Sequence, residues 1–238
     1  MIPMRRLHVA TGRPLVCLVT DRRGLVSAAA SDDDACAALV RQVDEAAACG
    51  VDLVQVRELD LAPRRLLELT SRLVAVVGTR STAIVVTDRV DIARSAGAHG
   101  VQLRESSMPA SRVRPMVSHD FLLGRSVHSP QQVSAIAAMG EVDYVTFGTV
   151  FPTPSKPASV PKAGLEGLAR ACTARIPVLA IGGVTLARLP GIAAAGAAGI
   201  AAIRLFEGGG DKRGTVETRG IASVVGAVRA CEWTTAAR

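Results

Sequence analysis

The amino-acid sequence predicts a single (β/α)8 barrel on three observations. The chain has 238 residues, close to the roughly 250 typical of such barrels. Eight short apolar runs alternate with eight amphipathic stretches, and polar residues gather at the C-terminal ends of those runs. Nearly half the residues are hydrophobic but only six are aromatic. The core is therefore expected to consist of Ala, Val, Leu and Ile, as suits parallel strands under small-faced helices.

The first apolar run is Leu15–Val19. Ser31 can then cap a helix whose first turn holds Asp32, Asp33 and Asp34, next to the positive end of the helix dipole. Ala35, Ala38, Leu39, Val43, Ala46 and Ala47 share one face of it, and Gly50 stops it. A second strand, Leu53–Val56, leads to a helix with Pro63 in its first turn and Gly78 at its end. Further strands are expected at Ala83–Val86, Val101–Leu103, Phe121–Gly124, Tyr144–Phe147, Val178–Ile181 and Ile200–Ile203. Helices are expected from about Val90, Pro109 and Pro130, and near Leu165–Cys172, Thr185–Ala194 and Ile221–Cys231. Strict alternation with short connections calls for a parallel sheet with right-handed crossovers. A doubly wound sheet is the rival, but no G-x-G-x-x-G follows the first strand. No linker divides the chain, so residues 1–238 read as one domain, with 1–13 an N-terminal extension and 234–238 a tail.

Composition narrows the function. The net charge is +7, but no dense basic run or basic-aromatic interleaving accompanies it, so nucleic acid is not an expected partner. A small anionic ligand would profit from the positive field. Five scattered cysteines lack metal-site spacing and are expected to be reduced thiols of a cytoplasmic protein. The longest apolar stretch, Gly191 to Ile203, falls short of the ~20 residues of a membrane span. No membrane partner is expected. The Ala-rich last helix could support a homodimer, and ordinary packing explains it equally well.

Polar groups close nearly every apolar run. The second ends in Gln55 and Arg57, the third in Thr87 and Asp88, the fourth in Gln102 and Arg104, and the fifth in Arg125, Ser126 and His128. The loop after the sixth carries Thr149, Thr153, Ser155 and Lys156, the seventh ends in Gly182-Gly183, and the eighth in Ile203-Arg204. In a parallel barrel these ends meet at one mouth, where barrel enzymes do their chemistry. Loops after strands seven and eight are the usual phosphate site, which makes Gly182, Gly183, Ile203 and Arg204 the expected phosphate contacts. His128 has the imidazole suited to proton transfer near neutrality, or is a hydrogen-bonded rim residue. Asp88 could hold Mg2+ through a diphosphate.

The segments VDLVQVRELD, TDRVDIARSAGAHGVQL, LGRSVHS, VDYVTFGTVFPTPSKP, GLEGL and IPVLAIGGV run in this order from Val51 to Val184. The series resembles the thiamine phosphate synthase superfamily, which has two branches. Synthases join a pyrimidine diphosphate to a thiazole phosphate using Mg2+. Gln55 and Arg57 match their Q-x-R-x-K motif, but Leu59 stands at the Lys position. Thr87-Asp88 replaces their Asn-Asp, a loop Asp falls at about Ser107, and Arg204 stands where a phosphate-meeting Ser is expected. Lys156 is kept where synthases carry a diphosphate-contacting lysine.

LGRSVHS, FGTVF and VQLRESS look closer to the TenI-like thiazole tautomerases, which aromatise a carboxythiazole phosphate without a metal. The resemblance therefore implies a tautomerase that takes a small phosphorylated thiazole and no cofactor, with His128 shuttling the proton. Gln55, Arg57, Thr87, Asp88, Gln102, Arg104, Ser126, Thr153 and Lys156 would surround the substrate, with Gly182, Gly183, Ile203 and Arg204 on its phosphate. The alternatives are a synthase, with Mg2+ on Asp88, and a non-catalytic barrel that binds the thiazole phosphate.

Overall fold

The protein is described by a computed structural model covering residues 13–154, 157, 159, 161–207 and 220–233. Eight parallel strands close into a barrel in chain order, β1 (Leu15–Val19), β2 (Leu53–Val56), β3 (Ala83–Thr87), β4 (Gly100–Leu103), β5 (Leu122–Val127), β6 (Tyr144–Phe147), β7 (Val178–Ile181) and β8 (Gly199–Ala202). Closure is made by β1 and β8, with Leu15 opposite Gly199 and Leu18 opposite Ala202. Helices α1 (Asp32–Ala48), α2 (Pro63–Val77), α3 (Val90–Ser95), α4 (Ala110–Val113), α5 (Pro130–Met139), α6 (Gly164–Cys172), α7 (Leu189–Ala194) and α8 (Ile221–Ala230) follow the strands in turn.

Alternation along each strand sorts side chains into two apolar layers. Leu15, Cys17, Val19, Leu53, Ala83, Val85, Leu122, Tyr144, Leu179 and Ala201 fill the barrel interior. Val16, Leu18, Val54, Val56, Ile84 and Val86 face outward into the larger core beneath the helices. Small Ala83 and Ala201 share this interior with the large Tyr144, the large-small mixture expected inside a narrow barrel. Ser31 caps α1 through a reciprocal bond with Asp34, and Gly78 ends α2, as the sequence predicts.

Several elements depart from expectation, among them β8, which ends at Ala202 and leaves Ile203 outside it. Strand β5 runs on to Val127, so Arg125 and Ser126 lie within it rather than beyond it. Helix α4 has only four residues and gives way to a 3-10 turn at Arg114–Met116. Pro115 lacks the N–H that a longer α-helix would need there. Another 3-10 turn, Leu186–Arg188, precedes α7, which begins at Leu189 with Pro190 in its first turn.

At the N-terminal end of the barrel, buried Asp52 accepts the Val16 N–H at 2.7 Å, the Arg13 guanidinium at 2.9 Å and the Arg229 guanidinium at 2.6 Å. Arg13, at the end of the N-terminal extension, thus bonds to a carboxylate at the base of the barrel. One carboxylate ties β1 to α8.

His99, on the turn before β4, accepts the Ile84 N–H on Nδ1 at 3.0 Å. Burial holds its imidazole below the ordinary value. A depressed folded value means that the stabilisation is complete above the unfolded value of about 6.5 and is lost as the pH falls below it. Replacing His99 with Gln is therefore expected to flatten the decline in urea midpoint between pH 7 and pH 5. An unchanged slope would assign that decline to other groups.

Candidate active site

A belt of hydrogen bonds runs around the C-terminal mouth and joins residues far apart in sequence. On its first side, the Thr20 hydroxyl, just past β1, donates to Glu58 and accepts the Arg57 N–H at 2.9 Å. Glu58 is 4% exposed and also receives the Arg22 N–H at 3.2 Å and the Arg22 guanidinium at 2.9 Å. Arg22 is 1% exposed and reaches Asp60 and Asp32 as well. That guanidinium, against some burial, holds the Asp60 carboxyl below its usual range. The network fixes the backbone beneath Arg57, whose exposed side chain lines a cleft with Asp21, Arg23 and Leu59.

Gln55 donates to the Thr87 hydroxyl at 3.0 Å, and both are buried. One layer further round, Gln102 donates to Ser126 and to Thr146, each at 3.1 Å, and Thr146 donates to Ser126 at 3.1 Å. Gln102 is fully buried, so it forms the floor of the mouth rather than its wall. Gly124 has to be glycine here. A Cβ would lie 2.1 Å from Gln102 Oε1 and 2.5 Å from the Tyr144 hydroxyl. Those two buried oxygens have no hydrogen-bond partner among the described residues.

Between β3 and β4, Asp88 sits at φ +59, a conformation that costs a non-glycine residue energy. Its N–H donates to the Gln102 carbonyl at 3.0 Å. The carboxylate accepts the Arg104 N–H at 2.9 Å, the Ser107 hydroxyl and the Arg104 Nε–H. Burial pushes its carboxyl up, but the Ser107 and Arg104 donors outweigh that and hold it below the usual range. Arg125 is spent on the carbonyls of Met108 and Glu105, each at 2.8 Å, which pins the β4–α4 loop.

His128 follows β5 and is half-exposed. Its Nδ1–H donates to the Gly148 carbonyl, and Nε2 lies 3.6 Å from Glu105. Glu105 is positioned by Gln132, whose side chain also accepts the His128 N–H at 2.8 Å.

The glycine pair after β7 adopts φ +96 and +65. The Gly182 carbonyl accepts the Phe151 N–H at 3.0 Å, and the Gly183 carbonyl accepts the Arg188 guanidinium, which also lies 4.5 Å over the Phe151 ring. Beside the pair, Ile203 precedes a 3-10 turn at Arg204–Phe206, and Arg204 donates to the Thr153 hydroxyl across the mouth.

Gln55, Arg57, Thr87, Asp88, Gln102, Arg104, Ser126, His128, Thr153, Gly182, Gly183, Ile203 and Arg204 thus belong to one end of the barrel. Lys156 lies outside the described residues. The sequence reading did not single out Thr20, Arg22, Glu58, Glu105 or Tyr144. The Thr-Asp-Arg run after β1 is a strand-end signal of the kind used elsewhere, whereas the Glu105 contact depends on loop conformation.

Three comparisons bear on what this mouth does. Residues 25–206 match a family model described as thiamine monophosphate synthase. A thiamine-phosphate synthase of Roseiflexus sp. (strain RS-1) is 33% identical over 90% of this chain and 86% of its own. One from Methanoculleus marisnigri is 38% identical over 70% of this chain and 79% of its own. The structure of a thiamine phosphate pyrophosphorylase from Pyrococcus furiosus superposes with a TM-score of 0.70 at 29% identity, covering 93% of this chain and 98% of the other.

These findings overturn the tautomerase expectation, and with it the aromatising proton shuttle assigned to His128; the relatives carry the name of the synthase alternative. The misleading segments have local structural explanations. In LGRSVHS, Gly124 makes room for Gln102 and Tyr144, and His128 anchors to the Gly148 carbonyl of FGTVF.

Proposed function

The chain belongs to the thiamine monophosphate synthase family, and on that premise we propose that it is a thiamine-phosphate synthase, a transferase joining hydroxymethylpyrimidine diphosphate to thiazole phosphate. The observation that carries this reading is the match from residue 25 to 206. It spans β2 to β8 and so includes the strand ends from Arg57 to Arg204 that form the mouth.

In this reading the C–O bond between the pyrimidine methylene and the diphosphate breaks. The thiazole ring nitrogen supplies the electron pair for the new C–N bond, and diphosphate leaves. Bond formation transfers no proton, so His128 needs no acid-base role. What the site must provide is alignment of two rings and neutralisation of two anionic groups. Arg57 and Lys156 attract the diphosphate. Gly182, Gly183, Ile203 and Arg204 hold the thiazole phosphate, with both glycine carbonyls tied away by Phe151 and Arg188. Thr153, bound to Arg204, links that end to the β6–α6 loop.

The family's synthases imply Mg2+, which supplies charge at a diphosphate when bound. Such an ion needs near-octahedral oxygen ligands, commonly one or two carboxylates besides substrate phosphates. Among the described residues, no group of three or more His, Cys, Asp or Glu could hold a metal. At the mouth, Asp88 has both carboxylate oxygens taken, and a guanidinium already lies on one of them. The residues as arranged do not fit the ion.

The test is to incubate the purified protein with both substrates, with Mg2+ and with chelator, and to follow thiamine phosphate. Product is expected; binding of thiazole phosphate without product in either arm would leave a non-catalytic barrel. Gly183→Ala is expected to raise the KM for thiazole phosphate about tenfold, since a positive φ costs a residue with Cβ about 1–2 kcal/mol. The added Cβ would also lie 2.4 Å from the Pro152 carbonyl. An unchanged KM would remove the phosphate from this turn.

A further inference from the structure

Resting on the synthase reading, we infer that Arg104, held by Asp88, is the fixed cation that neutralises the diphosphate at this mouth in place of a divalent metal. Three features of the β3–β4 rim carry this.

The first is how the carboxylate is used. Asp88 occupies a strained backbone conformation, and its side chain is only 16% exposed. Both oxygens accept N–H or O–H donors from Arg104 and Ser107. A cation entering here would have to displace a guanidinium and would meet its positive charge.

The second is how the guanidinium is held. Arg104 meets Asp88 through Nε, while its side chain is 54% exposed. Neither Nη carries a hydrogen bond among the described residues. A guanidinium fixed by Nε presents its two Nη groups as a planar fork, the geometry that binds a phosphate through two parallel bonds. Asp88 therefore acts as a positioning residue and Arg104 as the ligand-contacting one.

The third is location. In neighbouring strands, Val56 pairs with Val86 and Thr87 with Gln102. Arg57 and Arg104 thus stand one and two residues beyond these pairs on β2 and β4, flanking Asp88. Arg125, the next cation round the rim, is occupied by loop carbonyls.

The experiment uses inorganic diphosphate as probe, titrated calorimetrically into the full-length protein in EDTA and in millimolar Mg2+. Wild-type affinity in EDTA is expected within about threefold of that with Mg2+. Arg104→Gln is expected to weaken metal-free binding about ten- to a hundredfold, the range for loss of a charge-assisted contact, and Arg104→Lys to restore part of it. Binding that appears only with Mg2+, or metal-free binding unchanged in Arg104→Gln, would overturn the inference. Turnover measured in parallel separates this from the synthase reading. Product formed only with Mg2+ and unaffected by Arg104→Gln sinks the inference alone. Arg104-dependent diphosphate binding with no product under any condition sinks the synthase reading and supports the anion site.

Discussion

Arg57→Met is expected to lower the kcat for thiamine phosphate formation by about a hundred- to a thousandfold, the range for removing one charge-stabilising group from a preorganised site. The melting temperature should stay within about a degree. The two expectations separate because of how Arg57 is built in. Its backbone N–H is held by Thr20, while its side chain is exposed and makes no hydrogen bond among the described residues. Folding thus gains little from the guanidinium, and its charge is left for the ligand. Steady-state kinetics and thermal melts of the same preparation check both halves. A kcat within threefold of wild type would move the diphosphate elsewhere on the rim.

Glu58→Gln is expected to cost about 3 kcal/mol of stability, the lower end for breaking a buried ion pair, or roughly 6–12 °C in melting temperature for a chain of this size. Arg22 would then keep only Asp60 and Asp32, whose side chains are 61% and 49% exposed. Arg22→Met alone should be comparably harmful, because three carboxylates would face one another without their shared cation. The double variant should recover part of the loss, since removing both partners leaves no orphaned buried charge. Denaturant melts of the four proteins give the coupling energy. Strict additivity would mean that the pair does not act as a unit.

Much of the architecture was legible because it rests on local signals. Ser31 with three following aspartates marks the start of α1, Gly78 marks the end of α2, and apolar runs of four or five residues mark the strands. The misjudged boundaries fall where tertiary context overrides composition. Arg125 and Ser126 look like loop residues, yet the pairing of β5 with β6 extends through Ser126 opposite Thr146. The membership of the mouth was also legible, since strand ends of a parallel barrel must converge. What each group is tied to was not. Arg104 on Asp88, His128 on Gly148 and Arg22 on Glu58 depend on strand register and loop course, which no short motif encodes.

The seam where Leu15–Val19 meets Gly199–Ala202 also bears on how the chain is made. Until the eighth strand leaves the ribosome, the growing sheet keeps two open borders, each a row of unpaired amides able to recruit a neighbouring polypeptide. Joining segments from opposite termini carries a high entropic cost of loop closure, so ring completion is expected to be late and slow. Truncation just before α8 would remove Arg229 from the Asp52 knot and leave a ring that can meet but is poorly fastened, with aggregation in competition with closure.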